Sequence, residues 1–283
     1  MQPAPAPRDV TPRFHDEFLE RYLKEAPMAL ALERWFECTI LSQQKWVAPI
    51  LDIGCGDGVF SAVLFKDQID VGIDPDPKEL ARAAELGKYK ELINCFGQSI
   101  DKPDGSFNTI FSNSVLEHIE DLRPVLVEAK RLLAPGGRFY VTVPSDLFDH
   151  YSWIYQSLSA AGLDDLADRF RLFFNKFWKH YHYYTPAGWT RLFEQVGFSV
   201  VDHQEYCPKQ NCLLHDALAP FGGPSMIAKK LTGRWFPFPR VREMYAPLLA
   251  SLVKPMLEVD PELTAGGILF FALEHGSATR APD

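Results

Sequence analysis

Hydrophobic and polar positions repeat with two different periods along this chain, and the switches between them mark out its elements. Between residues 13 and 44 the apolar positions Phe18, Tyr22, Leu23, Leu30, Leu32, Trp35, Phe36, Ile40 and Leu41 recur three to four apart. That spacing predicts helix, and Pro27 divides it into two. Short apolar runs then alternate with amphipathic stretches. Strands are expected at 50–53, 70–74, 91–95, 107–112 and 138–143, and helices at 59–66, 77–87 and 121–133. Strands that alternate with helices predict a parallel sheet with crossover helices. Farther on, Thr185 and Pro186 form a helix start, as N-cap and first helical residue, and Gly197 is a stop. Strands at 198–203 and 267–274 complete the pattern.

Two stretches do not fit the alternation. Residues 145–184 are rich in aromatics, and residues 207–264 mix apolar, basic and proline positions. Both read as insertions. The first leaves the strand at 138–143 on the side where ligands bind in such sheets, so it is expected to roof a pocket. The second is less well placed for this unless its helices fold back. Residues 1–12 carry four prolines and read as a mobile arm. The predicted organisation is an arm and N-terminal cap helices over 1–48, a core over 49–275 with insertions at about 145–184 and 207–264, and a tail over 276–283.

The stretch 50–58 (Ile-Leu-Asp-Ile-Gly-Cys-Gly-Asp-Gly) carries the strongest chemistry. A buried strand ends in a turn with glycines at 54, 56 and 58, followed by a helix. Such a turn offers bare backbone and unpaired helix N–H groups to a nucleotide-like ligand. The third glycine falls one position too early for the dinucleotide fingerprint, which argues against NAD, and the Gly-Lys-Ser/Thr of a phosphate loop is missing. Asp74, 22 positions after Asp52, ends the next strand. A carboxylate there faces the same crevice and can accept ribose hydroxyls.

Asp-x-Gly-x-Gly-x-Gly at 52–58, the acid at Asp74, Leu-Glu-His-Ile at 116–119 and Leu-x-Ala-Pro-Gly-Gly at 132–137 occur in that order. Together they resemble class I S-adenosylmethionine (SAM)-dependent methyltransferases of the small-molecule type. The resemblance implies a Rossmann-like α/β fold: a seven-stranded, mostly parallel sheet with helices on both faces, here with a helical N-terminal cap and two insertions. It also implies SAM as cofactor. The implied cofactor residues are Asp52, Gly54, Cys55, Gly56, Gly58, Asp74, Pro75, Gln98, Ser99, Ile100, Asn113 and Ser114. Gln98 stands where the family commonly has an acid near the adenine, so it can accept a hydrogen bond but carries no charge.

Methyl transfer from SAM needs alignment, and it needs a base only if the acceptor must lose a proton. His118, His180 and His182 are the base candidates. Tyr22, Trp178, Tyr183 and Tyr184 are the substrate candidates. No metal cluster is evident, and none is expected. The reading is a methyltransferase for a small or medium organic acceptor, with oxygen favoured. One alternative is a lipid-linked or isoprenoid acceptor at a membrane surface, suggested by the aromatic inserts and by Lys229, Lys230, Arg234 and Arg240 among aromatics. The other is a SAM-binding regulatory protein without turnover.

The net charge of −8 disfavours a long nucleic-acid partner. Five cysteines with no C-x-x-C pair suggest reduced thiols and a cytoplasmic setting. No run reaches the roughly 20 apolar residues of a membrane span, so integral membrane association is not expected, while peripheral contact stays open.

Overall fold

The structure is a computed structural model and describes residues 7–13, 17–257 and 265–276. Positions 1–6 of the expected arm, 258–264 of the second insertion and 277–283 of the expected tail lie outside the described residues. The rest of the arm is not free. Arg8–Val10 (β1) pairs antiparallel with Trp46–Ala48 (β2), and Pro12 bridges to Phe65. Val10 is buried, and this apolar anchor overrides the proline-rich composition.

The cap helices are Phe18–Glu25 (α1) and Met28–Ser42 (α2), divided at Pro27. The core then alternates Ile50–Ile53 (β3), Val59–Leu64 (α3), Ile69–Asp74 (β4), Pro77–Leu86 (α4), Tyr89–Asn94 (β5), Phe107–Asn113 (β6), Arg123–Leu132 (α5) and Leu133–Pro144 (β7). The junction at 134–137 lies inside β7, not at a helix stop; α5 ends one residue before that strand begins. Pro186–Val196 (α8) begins with Thr185 Oγ1 accepting the Gly188 N–H, and ends at Gly197 with φ of 91°. Phe198–Pro208 (β8) and Gly266–His275 (β9) complete the sheet.

The sheet runs β5-β4-β3-β6-β7-β9-β8. The first five strands are parallel; β9 is antiparallel to both β7 and β8. Strand order reverses at β3, so the crevice beyond its C-terminal end is the place where such sheets bind ligands. One hydrophobic cluster packs the cap helices on one face, and the other packs α5 and α8 on the opposite face.

The first insertion holds Trp153–Ala160 (α6) and Asp164–Trp178 (α7). The second holds Lys209–Leu218 (α9), Gly223–Thr232 (α10) and Pro239–Val253 (α11). Its helices do fold back. Arg242 on α11 is buried, with its guanidinium donating to the Leu23 and Ala26 carbonyls at the end of α1. A cation there meets the negative end of the helix dipole. No helix among the described residues is long and apolar enough to cross a membrane.

Candidate active site

The three glycines of the turn do different work. Gly54 has φ of 79°, and a Cβ there would lie 2.5 Å from the Val115 side chain. Gly58 has φ of 75° and would meet Ala83 at 3.0 Å. Gly56, with φ of 52°, has nothing within 4 Å of that position, so its backbone faces open space. The carboxylate of Asp74 fixes this loop. Its Oδ2 accepts the Gly56 N–H at 3.0 Å, and its Oδ1 accepts the Asp76 N–H at 2.8 Å. Each oxygen keeps a further lone pair.

The Asp52 carboxylate is turned into the protein. It is buried, and its Oδ2 accepts from Ser61 Oγ at 2.8 Å and from the Tyr89 hydroxyl at 2.7 Å. Burial pushes its pKa up to about 7, against the pull of those two hydrogen bonds. Asp52 is therefore a brace beneath the turn, a correction to its expected cofactor role. Cys55 is buried beside it, and burial raises its thiol pKa.

At the end of β6 a polar knot joins the sheet to α2. Glu37 is fully buried. Its carboxylate accepts from Asn113 Nδ2 at 2.7 Å, from Ser114 Oγ at 2.5 Å and from Arg34 Nη1 at 2.6 Å. Thr142 Oγ1 donates to Asn113 Oδ1 at 2.8 Å. The Asn113 side chain is thus engaged at both ends within the protein, which corrects its expected cofactor contact, whereas Ser114 reaches the cavity wall. Burial works to lower the pKa of Arg34, but Glu37 and Glu33 outweigh it and hold the guanidinium well above its ordinary value.

Beyond Ser114 opens a cavity of roughly 260 Å³. Its walls come from α2, the loop after β6 and both insertions, including Phe148, Phe174 and Trp178 from the first and Cys212, His215 and Met226 from the second. His118 and His180 both line it, their ring centroids 5.2 Å apart. His180 Nδ1 lies 3.2 Å from Asn175 Oδ1. Burial, helped by His118, pushes the His180 pKa down to about 4. Glu117 also lines the cavity. It is 3% exposed, and its Oε2 has no hydrogen-bond partner among the described residues. Burial pushes its pKa up to about 8, so near neutrality it is a protonated donor.

A family model described as "Methyltransferase domain" matches residues 13–203. The chain belongs to that family. S-adenosylmethionine is the cofactor of this methyltransferase fold, and the site suits it: open backbone at Gly56, a carboxylate at Asp74, and a hydroxyl and a cation at Ser114 and Arg34. An uncharacterized methyltransferase of Mycobacterium sp. (strain KMS) is 34% identical over 91 residues, 31% of this chain and 35% of that one. The chloroplastic tocopherol O-methyltransferase of Arabidopsis thaliana is 28% identical over 148 residues, 48% of this chain and 40% of that one. The chain thus spans about a third to two fifths of the length of these curated relatives. A solved SAM-dependent methyltransferase from Thermotoga maritima, described as a possible histamine N-methyltransferase, aligns with a TM-score of 0.50 at 16% identity. The alignment covers 92% of this chain and 95% of that one. At that identity the likeness concerns the fold alone.

The cavity gathers some of the expected residues and leaves others out. His118, His180, Trp178 and Ser114 line it. His182 does not. Its Nε2 bonds the Ile119 carbonyl oxygen at 2.8 Å and its Nδ1 the Tyr184 hydroxyl at 2.9 Å, so both nitrogens serve a junction before α8. Tyr184 packs on Trp189 there. Tyr22 is buried in the core beneath the cap helices, and neither it nor Tyr183 lines the cavity. Gln98 and Ser99 are exposed, while Ile100 is buried with its N–H donating to Glu128 Oε1 at 2.7 Å.

Several residues that build the site escaped the sequence reading. Arg34 and Glu37 sit on the polar side of a helix read only for its apolar spacing. Lys229 of α10 clasps the glycine turn, with its Nζ 2.9 Å from Asp57 Oδ2 and 3.1 Å from Glu79 Oε2. Trp235 Nε1 donates to the same Asp57 oxygen at 3.3 Å. No local pattern could announce a contact across 172 residues.

Proposed function

We propose that this chain transfers a methyl group from SAM to a hydroxyl oxygen of a small or medium organic acceptor held beneath the two insertions. The observation that carries the reading is the His118–His180 pair, set in the wall of a cavity that also reaches Ser114 and Arg34. The volume of roughly 260 Å³ lies just below the range of about 300–1,000 Å³ for small-molecule pockets, which favours a small acceptor. The net charge of −8 favours a small acceptor over a nucleic acid, and five free thiols favour a cytoplasmic setting.

When bound, SAM supplies an electrophilic methyl group on a positively charged sulfur. The chain's own residues then have three tasks. Gly56 and Asp74 hold the nucleoside end, and Arg34 meets the carboxylate of the amino-acid end. The aromatic wall aligns the acceptor and excludes water. His180, neutral down to about pH 4, accepts the hydroxyl proton. An imidazole so depressed is a weak base. A weak base suffices here, because the hydroxyl becomes strongly acidic as its oxygen bonds to carbon. The protonated Glu117 offers a hydrogen bond to a second polar group on the acceptor.

Incubation of cell extract with the protein and isotope-labelled SAM, read by mass spectrometry, tests the reading. A labelled methyl ether is expected. His180→Ala should lower kcat about a hundredfold or more, with SAM affinity by titration calorimetry nearly unchanged. SAM binding with no labelled product across a broad acceptor panel would mean a regulatory protein without turnover.

A further inference from the structure

The surface is unevenly apolar. Among the described residues, 24 large hydrophobic side chains are exposed, and of these only Phe96, Val127 and Val201 lie outside the two insertions. On α7, Leu166, Phe173 and Phe177 form an exposed ridge at helical spacing, and Phe177 is 60% exposed. On α10, Ile227 and Leu231 are 64% and 79% exposed. On α11, whose opposite side packs on α1, Val241, Met244 and Leu248 face outward. Patches of this extent mark a surface that meets something apolar.

Two further observations say what it meets. The exposed residues Trp178 of α7 and Met226 of α10 also line the cavity, so both apolar faces continue into its rim. Charge is the second. Residues 219–257 carry six Lys and Arg against one acid, Glu243, in a chain of net charge −8; Arg242 is buried, and Lys229 and Arg234 pair with acids of the core. Lys230 and Arg240 are exposed among the apolar side chains.

We propose that the outer faces of α7, α10 and α11 dock on an anionic lipid bilayer with the cavity rim turned toward it, so that an apolar acceptor enters from the membrane. The acceptor half of this inference rests on the methyl-transfer reading above; the docking half does not. Amphipathic helices with basic flanks bury their apolar side at the lipid boundary, and each cation near an anionic leaflet adds attraction. A second copy of the chain is a poorer occupant. A two-fold contact would press one basic patch against its twin and stopper both cavities.

Vesicle flotation of the full chain tests the docking. Wild-type protein should float with vesicles of phosphatidylcholine and phosphatidylserine in equal parts, float less at high salt, and float weakly with phosphatidylcholine alone. The double variants Ile227→Glu with Leu231→Glu, and Lys230→Glu with Arg240→Glu, should each lower partitioning about tenfold or more. Circular dichroism and SAM titration should match wild type, which keeps a loss of docking distinct from loss of fold or of the cofactor site. No flotation with either vesicle, or variants that float like wild type, would overturn the proposal. So would a wild-type dimer in analytical ultracentrifugation that these variants break, since the face would then serve self-association.

Discussion

The region from β3 to β7 and the region built by the two insertions solve opposite problems. In the first, the polar side chains around the turn are spent on the protein itself. Asp52 braces Ser61 and Tyr89, Asp74 ties down Gly56, and Glu37 gathers Asn113, Ser114 and Arg34. The ligand is left with backbone, a few spare lone pairs and the cavity-facing Arg34 and Ser114. In the second, the side chains themselves form the surface: Phe174, Trp178, His180, His215 and Met226 line the cavity, and their neighbours stand out in solvent. The glycine turn is pre-organised by strand geometry, whereas the cavity wall is assembled from helices tied to the core by long-range contacts such as Lys229 to Asp57 and Arg242 to Leu23. A cofactor that never changes can be met by fixed backbone, while an acceptor needs a wall that can vary.

The contrast can be broken most forcefully at Glu37, where the two regions meet. Glu37→Ala removes one of the two carboxylates that hold Arg34, whose side chain is 17% exposed, leaving it Glu33 at 3.3 Å, and takes the shared acceptor from Asn113 and Ser114. Removing one partner of a buried ion pair costs about 3–5 kcal/mol. A thermal melt should show a large fall in Tm, and a small fall would mean that the knot is dispensable.

Next comes the brace. Asp52 has its folded pKa raised from 3.8 to about 7. An acid raised in this way favours the folded state while protonated. Its contribution is full below the ordinary carboxylate range and is lost as pH rises toward 7. At about 1.4 kcal/mol per unit, the effect is on the order of a few kcal/mol. Asp52→Asn keeps an acceptor for Ser61 and Tyr89, so chemical denaturation at a series of pH values should show a flatter profile than wild type. An identical slope would remove Asp52 from the account.

Asp74→Ala acts on the donor side alone. It deletes a charged hydrogen-bond acceptor, and calorimetry should show SAM affinity weakened about tenfold to a hundredfold. Unchanged affinity would undo the cofactor assignment. The smallest effect belongs to Lys229→Ala, which opens the clasp between α10 and the glycine turn. A partly exposed pair is worth about 1 kcal/mol, so Tm should move little, but amide exchange in α10 should quicken. Exchange that stays slow would show α10 held by packing instead.

The donor side was legible because its signals are local. Gly54, Gly56 and Gly58 announce a turn that L side chains resist, and Thr185 with Pro186 announces a helix start within three residues. Asp74 was found because one crossover fixes its distance from Asp52. The sequence pattern misread Asp52 and Asn113, since a motif names a position without saying which way a carboxyl or amide turns. The acceptor side was legible only as two anomalies. That His180 meets His118 while His182 meets Ile119 follows from the path of the segment after α7, which no local spacing announces. Glu117 looked like part of a motif, and only burial exposes its orphaned oxygen.

The pairing of β8 with β9 has a consequence for how such a chain can change over time. Pro208 and Gly266 stand opposite each other in the ladder, so the second insertion leaves and re-enters the sheet at one point. The ladder does not depend on what lies between. Replacing that span with a tight hairpin would keep the register of β8 on β9 and lower the loop-closure entropy by roughly 2–3 kcal/mol. The insertion is thus a cassette with two attachments of its own: exchanging it would recast one wall of the cavity and would also remove the ties of Lys229 to the glycine turn and of Arg242 to α1.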